Sequence, residues 1–174
     1  MVHNHIKAGD HVIDATLGAG KDTFVIAKIL GGDGKITGYD IQEQALVRTE
    51  QTLAALTPKE RSIITLKHAS HALIKESGVA LVIYNLGYLP GGDKTITTCV
   101  ETTLQSIQSA LIALNERGML LITCYPGHEE GAKEEAALLH FFSNLNKKWK
   151  VAYTRLLNRE KAPSTLTVTR SNGI

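Results

Sequence analysis

Val79-Ala80-Leu81-Val82-Ile83-Tyr84-Asn85-Leu86-Gly87-Tyr88-Leu89-Pro90-Gly91-Gly92-Asp93-Lys94 begins as an unbroken apolar, β-branched run and ends as a glycine-rich loop. The apolar half predicts a buried strand. Such a strand delivers Asn85 and Tyr88 to its carboxyl end, where open α/β sheets bind their ligands. An amide, a glycine, an aromatic ring and a proline at that point suit a planar substrate. Backbone and amide oxygens there can face an amine.

Outward from this strand, strand-like and helix-like segments alternate, the pattern of a parallel sheet with crossover helices. Upstream, residues 11–16 and 35–40 read as strands. A helix over 23–30 lies between them, stopped by Gly31-Gly32-Asp33-Gly34. A second helix is expected over about 42–56, ended by Thr57-Pro58, then a short strand over 62–66 and a short helix over 71–76. Downstream, the pattern predicts a long helix over 96–117, a strand over 119–125 and a helix over 128–145. Segments 149–157 and 165–170 should close the sheet as an antiparallel hairpin. With no internal repeat, linker or low-complexity tract, the expectation is one α/β domain over 1–174. Its seven-stranded sheet should be mostly parallel.

Composition excludes several classes. The chain has 174 residues, 43% hydrophobic and 21% charged, enough for one core without staples. Cys99 and Cys124 form no CxxC pair and read as reduced thiols. No apolar run approaches the roughly 20 residues that span a bilayer, and residues 1–7 lack a signal-peptide core. A cytoplasmic protein with no membrane partner is therefore expected. A net charge of +2 permits a nucleic-acid partner without demanding one. Seven histidines invite a metal reading. However, His3 and His5 sit in a segment expected to fray, His68 and His71 have no third ligand nearby, and no HExxH motif occurs. No metal is expected.

Asp14-Ala15-Thr16-Leu17-Gly18-Ala19-Gly20-Lys21-Asp22-Thr23 lies where the first strand turns into a helix. Gly18 and Gly20 allow a sharp turn and close approach to a ligand. The third glycine of a dinucleotide fingerprint is replaced by Thr23, and Asp22 puts a carboxylate where a pyrophosphate wants a bare helix N-terminus. Asp14 and Asp22 suit instead the ammonium and sulfonium of S-adenosylmethionine, although Asp22 and Thr23 also suit simple helix capping. Asp40 ends the next strand about 20 residues on, the position of a ribose-binding carboxylate. Ile41 and Gln42 would then lie near the adenine. Thr16 belongs to the same turn, and Ser70 and His71, after the third strand, are candidates for the adenine edge. Together these point to a Rossmann-like class I methyltransferase that binds S-adenosylmethionine.

On the substrate side, methyl transfer is an in-line displacement, so the protein's task is mostly positioning. Asn85, together with the carbonyl of Leu86 or Gly87, can accept N–H bonds from an amine nucleophile and aim its lone pair. Asn85 also borders the cofactor, and Tyr88 can stack on a base. His128, in Tyr125-Pro126-Gly127-His128, is of the type that exchanges a proton near neutral pH, and equally suits a helix start. Lys147, Lys148, Lys150, Arg155, Arg159 and Lys161 gather near the closing hairpin; such a run suits an ordinary solvated face or, pooled with Lys94 at one rim of the site, contact with RNA phosphates.

On these residues the chain resembles the small bacterial putative rRNA methylases, a family that includes the tRNA 5-(aminomethyl)-2-thiouridine methyltransferases. The resemblance rests on Asp14-Ala15-Thr16, Gly18, Gly20, Asp22-Thr23, Ser70-His71, Asn85 through Lys94, Gly127-His128 and Ala162-Pro163-Ser164-Thr165-Leu166. Ala19 and Lys21 depart from the family's usual Gly-Asn-Gly-His-Asp-Thr turn, and Ser164 replaces one of two prolines. The helix that precedes the first strand in many relatives is expected to be shortened or absent. The resemblance implies methylation of the aminomethyl group of 5-aminomethyl-2-thiouridine at the tRNA wobble position. Alternatives are an rRNA or small-amine methyltransferase, a non-catalytic cofactor-binding module and, disfavoured by Asp22 and Thr23, an NAD-dependent reductase. The sequence leaves monomer and homodimer open.

Overall fold

The computed structural model describes residues 2–89, 91, 97–159 and 161–171. Seven strands form one mixed sheet: β1 (His11–Asp14), β2 (Lys35–Asp40), β3 (Ile64–His68), β4 (Val79–Asn85), β5 (Leu114–Cys124), β6 (Trp149–Thr154) and β7 (Ser164–Arg170). Their order is β3-β2-β1-β4-β5-β7-β6. The first five run parallel, and β7 lies antiparallel between β5 and β6. This is the mostly parallel sheet with a closing hairpin that the sequence predicts. The helices are α1 (Val2–His5), α2 (Lys21–Leu30), α3 (Glu43–Leu53), α4 (Pro58–Ser62), α5 (Val100–Ala113) and α6 (Glu129–Ser143).

Strand β4 explains the architecture. It is buried from Val79 to Tyr84, so both of its faces must be covered. Its side chains alternate between two cores. Val82 and Tyr84 join Ile13, Leu120, Ile107 and Leu138 under α5 and α6. Leu81 and Ile83 join Val12, Ile36, Ile26 and Leu53 under α2 and α3. Among the described residues no helix is long and apolar enough to cross a membrane.

Several boundaries differ from the sequence reading. Helix α5 ends at Ala113 and β5 begins at Leu114, where a helix to residue 117 was expected. Leu111-Ile112-Ala113-Leu114 keeps an apolar pattern through the junction, so periodicity alone misses it. The β4–β5 register shifts here, because Leu114 opposes Val79 while Met119 opposes Leu81. The short helix after β3 is a single 3₁₀ turn, His71–Leu73. After Thr57-Pro58 the chain starts the extra helix α4 with a full capping box between Thr57 and Glu60. The expected start of the long helix near residue 96 lies outside the described residues. His5 does not fray: its Nε2 hydrogen-bonds the Ala80 carbonyl oxygen at 2.9 Å.

The junction from β1 into α2 is held by two buried side chains. Thr23 Oγ1 donates to Asp14 Oδ2 at 2.6 Å, and the Thr16 N–H donates to Asp14 Oδ1 at 3.2 Å. Burial pushes the Asp14 carboxyl up to about 7, against the lowering effect of those bonds; the charges of Asp22 and Asp40 add to the rise. Gly20, at φ 72°, lies so close to α3 that a Cβ would sit 2.8 Å from Thr49 Cγ2. It packs the turn on α3 and does not line the ligand space.

The Asp14 site has a pH signature. Its folded pKa lies above the unfolded one, so the native state keeps a proton that the unfolded chain has released. Its contribution is fully present below about pH 4 and is lost as pH rises through about 7. Thr23→Val removes a hydrogen bond that matters most to the ionised form. Urea unfolding should show a loss on the order of 1–3 kcal/mol at about pH 8 and a smaller one at about pH 5. Equal losses at the two values would mean that Asp14 does not titrate there.

Candidate active site

Strands β1 and β4 are neighbours whose following segments diverge, so a crevice opens beyond their carboxyl ends. The last bonds across this seam are Ala15 N–H to the Ile83 carbonyl at 2.9 Å and Asn85 N–H to Thr16 Oγ1 at 2.7 Å. Beyond them lies a cavity of about 750 Å³. Thr16, Gly18, Asp40, Gln42, Ser70, His71, Asn85, Tyr88 and His128 all line it. Asp14, Gly20, Asp22 and Thr23 do not: three of them build the turn from behind, and Asp22 meets the wall through its bond to Asn85.

Asp40 faces the cavity with both oxygens already oriented. Gly18 N–H donates to Oδ2 at 3.0 Å and Gln42 N–H to Oδ1 at 2.9 Å. The N-cap of α3 is Gln42, so Asp40 is not the cap. A carboxylate has about four acceptor sites, and two remain for a ligand diol. Ala15, Ile41, Leu86 and Leu89 supply apolar wall nearby. Ser70 caps the 3₁₀ turn by accepting the Ala72 N–H at 3.2 Å. His71 is buried, which lowers its pKa to about 4, and its Nδ1 has no protein partner.

On the other side stand Tyr88 and Tyr125, both more than a third exposed. The Tyr88 ring lies 5.5 Å from His128, tilted by 53°. His128 is the N-cap of α6: its Nδ1 accepts the Gly131 N–H at 3.1 Å. The neutral ring therefore carries its proton on Nε2. In this arrangement the Nδ1 lone pair is engaged by the cap, the helix-start role that the sequence also offers.

The basic residues do not form one rim. Trp149 pairs with Arg170 and Thr154 with Thr165, while Ser164 opposes Cys124 at the carboxyl, cavity-side end of β5. Lys147, Lys148 and Lys150 thus sit at the end of the sheet away from the cavity. Arg155, Arg159 and Lys161 follow β6 at the cavity end, and Lys161 lines the wall. Pro90, Gly92, Asp93 and Lys94 lie outside the described residues.

Sequence reasoning missed what anchors the loop after β4. Gly87 N–H donates to Thr98 Oγ1 at 2.9 Å, and Thr98 Oγ1 donates to Glu134 Oε2 at 2.5 Å. Thr103 Oγ1 donates to Glu134 Oε1 at 2.7 Å. Glu134 is 1% exposed, and burial raises its pKa against these bonds. Arg48 of α3 reaches the Gly91 carbonyl at 3.1 Å. The available signal was Glu134 itself, a glutamate on the buried face of α6 in register with Gly131, Leu138 and Phe142. Thr98→Val should destabilise the protein by on the order of 1–3 kcal/mol, because Glu134 loses a donor in a buried site. It should also speed hydrogen exchange at the Gly87 amide, whereas Thr98→Ser should behave like the parent. A protected Gly87 amide in the valine variant would show that the loop is held elsewhere.

Known proteins share both sequence and fold with this chain. The family model described as "Putative rRNA methylase" matches residues 36–170. A tRNA (mnm(5)s(2)U34)-methyltransferase, chloroplastic, of Arabidopsis thaliana is 35% identical over 170 residues, 91% of this chain. The chain spans 62% of that relative's length. A putative rRNA-methylase from Clostridium thermocellum superposes with a TM-score of 0.91 at 32% identity, covering 98% of this chain and 93% of that one. A putative methyltransferase from Streptococcus mutans, solved in complex with SAH, gives a TM-score of 0.82 at 28% identity, covering 97% and 93%. The seven-stranded sheet is thus the Rossmann-like fold of methyltransferases, and the chain belongs to the putative rRNA methylase family.

Proposed function

We propose that this protein is an S-adenosylmethionine-dependent methyltransferase acting on an amino group in tRNA, the aminomethyl group of 5-aminomethyl-2-thiouridine at the wobble position. The observation that carries this reading is the sharing of one cavity by Asp40 and Gly18 on one side and Asn85 and Tyr88 on the other. The Arabidopsis relative's name supports the substrate, and the SAH complex of the Streptococcus relative supports the cofactor.

The cavity fits that cofactor. Asp40 keeps acceptor sites for ribose hydroxyls, and Ser70 and His71 line the same cavity where a base edge would lie. Asp22, in the first turn of α2, disfavours a pyrophosphate. Bound there, S-adenosylmethionine supplies an electrophilic methyl group on a sulfonium. The chain's own residues then position the acceptor. Asn85 Oδ1 accepts an N–H of the amine and fixes the direction of its lone pair, while Tyr88 stacks on the base. An alkylammonium must first lose its proton. With the His128 lone pair engaged, the amine deprotonates to solvent and binds neutral.

The test is methyl transfer from labelled S-adenosylmethionine to tRNA from a strain lacking the final wobble methylation. Nucleoside mass spectrometry should find the label in the methylaminomethyl form; label on another nucleoside would redirect the substrate. Asp40→Ala should weaken S-adenosylhomocysteine binding by on the order of 1.5–3 kcal/mol for each lost hydrogen bond to the carboxylate.

The RNA path should run over the cavity end of the hairpin. Reversing Arg155 and Arg159 to glutamate should raise KM for tRNA and flatten its salt dependence. The same change at Lys147 and Lys148 should leave KM near the parent value. The opposite pattern would put the RNA on the far end of the sheet.

A further inference from the structure

Asp22 lies off the cavity wall, yet it holds the Asn85 side chain, which lines it. Asn85 Nδ2 donates to Asp22 Oδ2 at 2.8 Å, and the Asn85 backbone N–H is separately pinned to Thr16 Oγ1. An ionised carboxylate only accepts. Turning the amide over would set its oxygen against a carboxylate oxygen. Nδ2 therefore faces α2, and Oδ1 is the amide atom left for the cavity that Asn85 lines.

We propose that Asp22 is a positioning residue that fixes the polarity of the Asn85 amide, so that the site offers an acceptor and selects a nucleophile carrying N–H. This rests on the amine-methylation reading and deepens it. Asp22 is itself well held. It stands in the first turn of α2, whose start is tied to β1 by the buried Thr23–Asp14 bond. It also stands near the substrate wall: after burial, its charge is what raises the Tyr125 pKa. A direct contact with the cofactor's ammonium is a different role, and the two are separable because only one acts through Asn85.

The test compares single-turnover methylation, S-adenosylhomocysteine affinity by calorimetry, and the Asn85 side-chain amide signal in nitrogen-15 spectra. Asp22→Asn offers both a donor and an acceptor, so both orientations of Asn85 become satisfied. The rate should fall by roughly 10- to 100-fold, as expected for a misplaced positioning contact, with affinity unchanged and the Asn85 amide protons losing protection. Combining Asp22→Asn with Asn85→Asp reverses the pair: the new carboxylate accepts from the new amide and keeps an oxygen for the cavity. That double variant should recover most of the rate. A fall in S-adenosylhomocysteine affinity with no recovery in the double variant would overturn the proposal in favour of cofactor contact. A parental rate in Asp22→Asn would overturn it outright. If the parent enzyme itself methylates no amine, the functional reading fails, while the amide spectra still report whether Asp22 orients Asn85.

Discussion

The seam between β1 and β4 is the constraint on which the site depends. The order β3-β2-β1-β4-β5 reverses direction there, and the segments leaving the two strands part company. Ladder bonds end at Ala15 and Ile83, and the Thr16 hydroxyl takes over by accepting the Asn85 N–H. Everything that follows is positioned from this pair of strand ends. One end becomes the tight turn carrying Gly18, and the other becomes the loop that carries Asn85 and Tyr88. Because β4 is buried on both faces, it cannot slip without exposing one of two cores, and so Asn85 has a fixed address.

Around this seam three aspartates do three different things, and environment decides which. Asp14 is dry, has its carboxyl pushed up to about 7, and ties the start of α2 to β1. Asp22, one turn away, accepts from Asn85. Asp40 borders the open cavity and receives two backbone N–H groups, which aims its remaining acceptor sites at the ligand space. Glu134, from the far side, does for the substrate loop what Asp14 does for the turn. Buried carboxylates satisfied by threonine hydroxyls thus brace both walls of the cavity.

The sheet was legible because its central strands are covered on both faces and read as unbroken apolar runs. Asp40 and Asn85 were legible because each stands directly at the end of such a strand. Other features depended on pairings between distant parts of the chain. The lysines at 147, 148 and 150 look continuous with Arg155 and Lys161 in sequence, but a strand running the length of the hairpin carries them to opposite ends of the sheet. The ties from Thr98 to Glu134 and from Asn85 to Asp22 join residues 36 and 63 positions apart. The tautomer of His128 follows from one backbone N–H three residues ahead, which a residue type cannot reveal.

The central claim is that one crevice at the β1–β4 seam holds cofactor and amine together. Its most direct test is a crystal structure of the protein with S-adenosylhomocysteine and an anticodon stem-loop carrying 5-aminomethyl-2-thiouridine. The account predicts the Asp40 oxygens about 3 Å from the ribose hydroxyls and Asn85 Oδ1 about 3 Å from the aminomethyl nitrogen, the range of ordinary hydrogen bonds. A ribose bound away from Asp40, or a stem-loop that leaves Asn85 facing solvent, would contradict it.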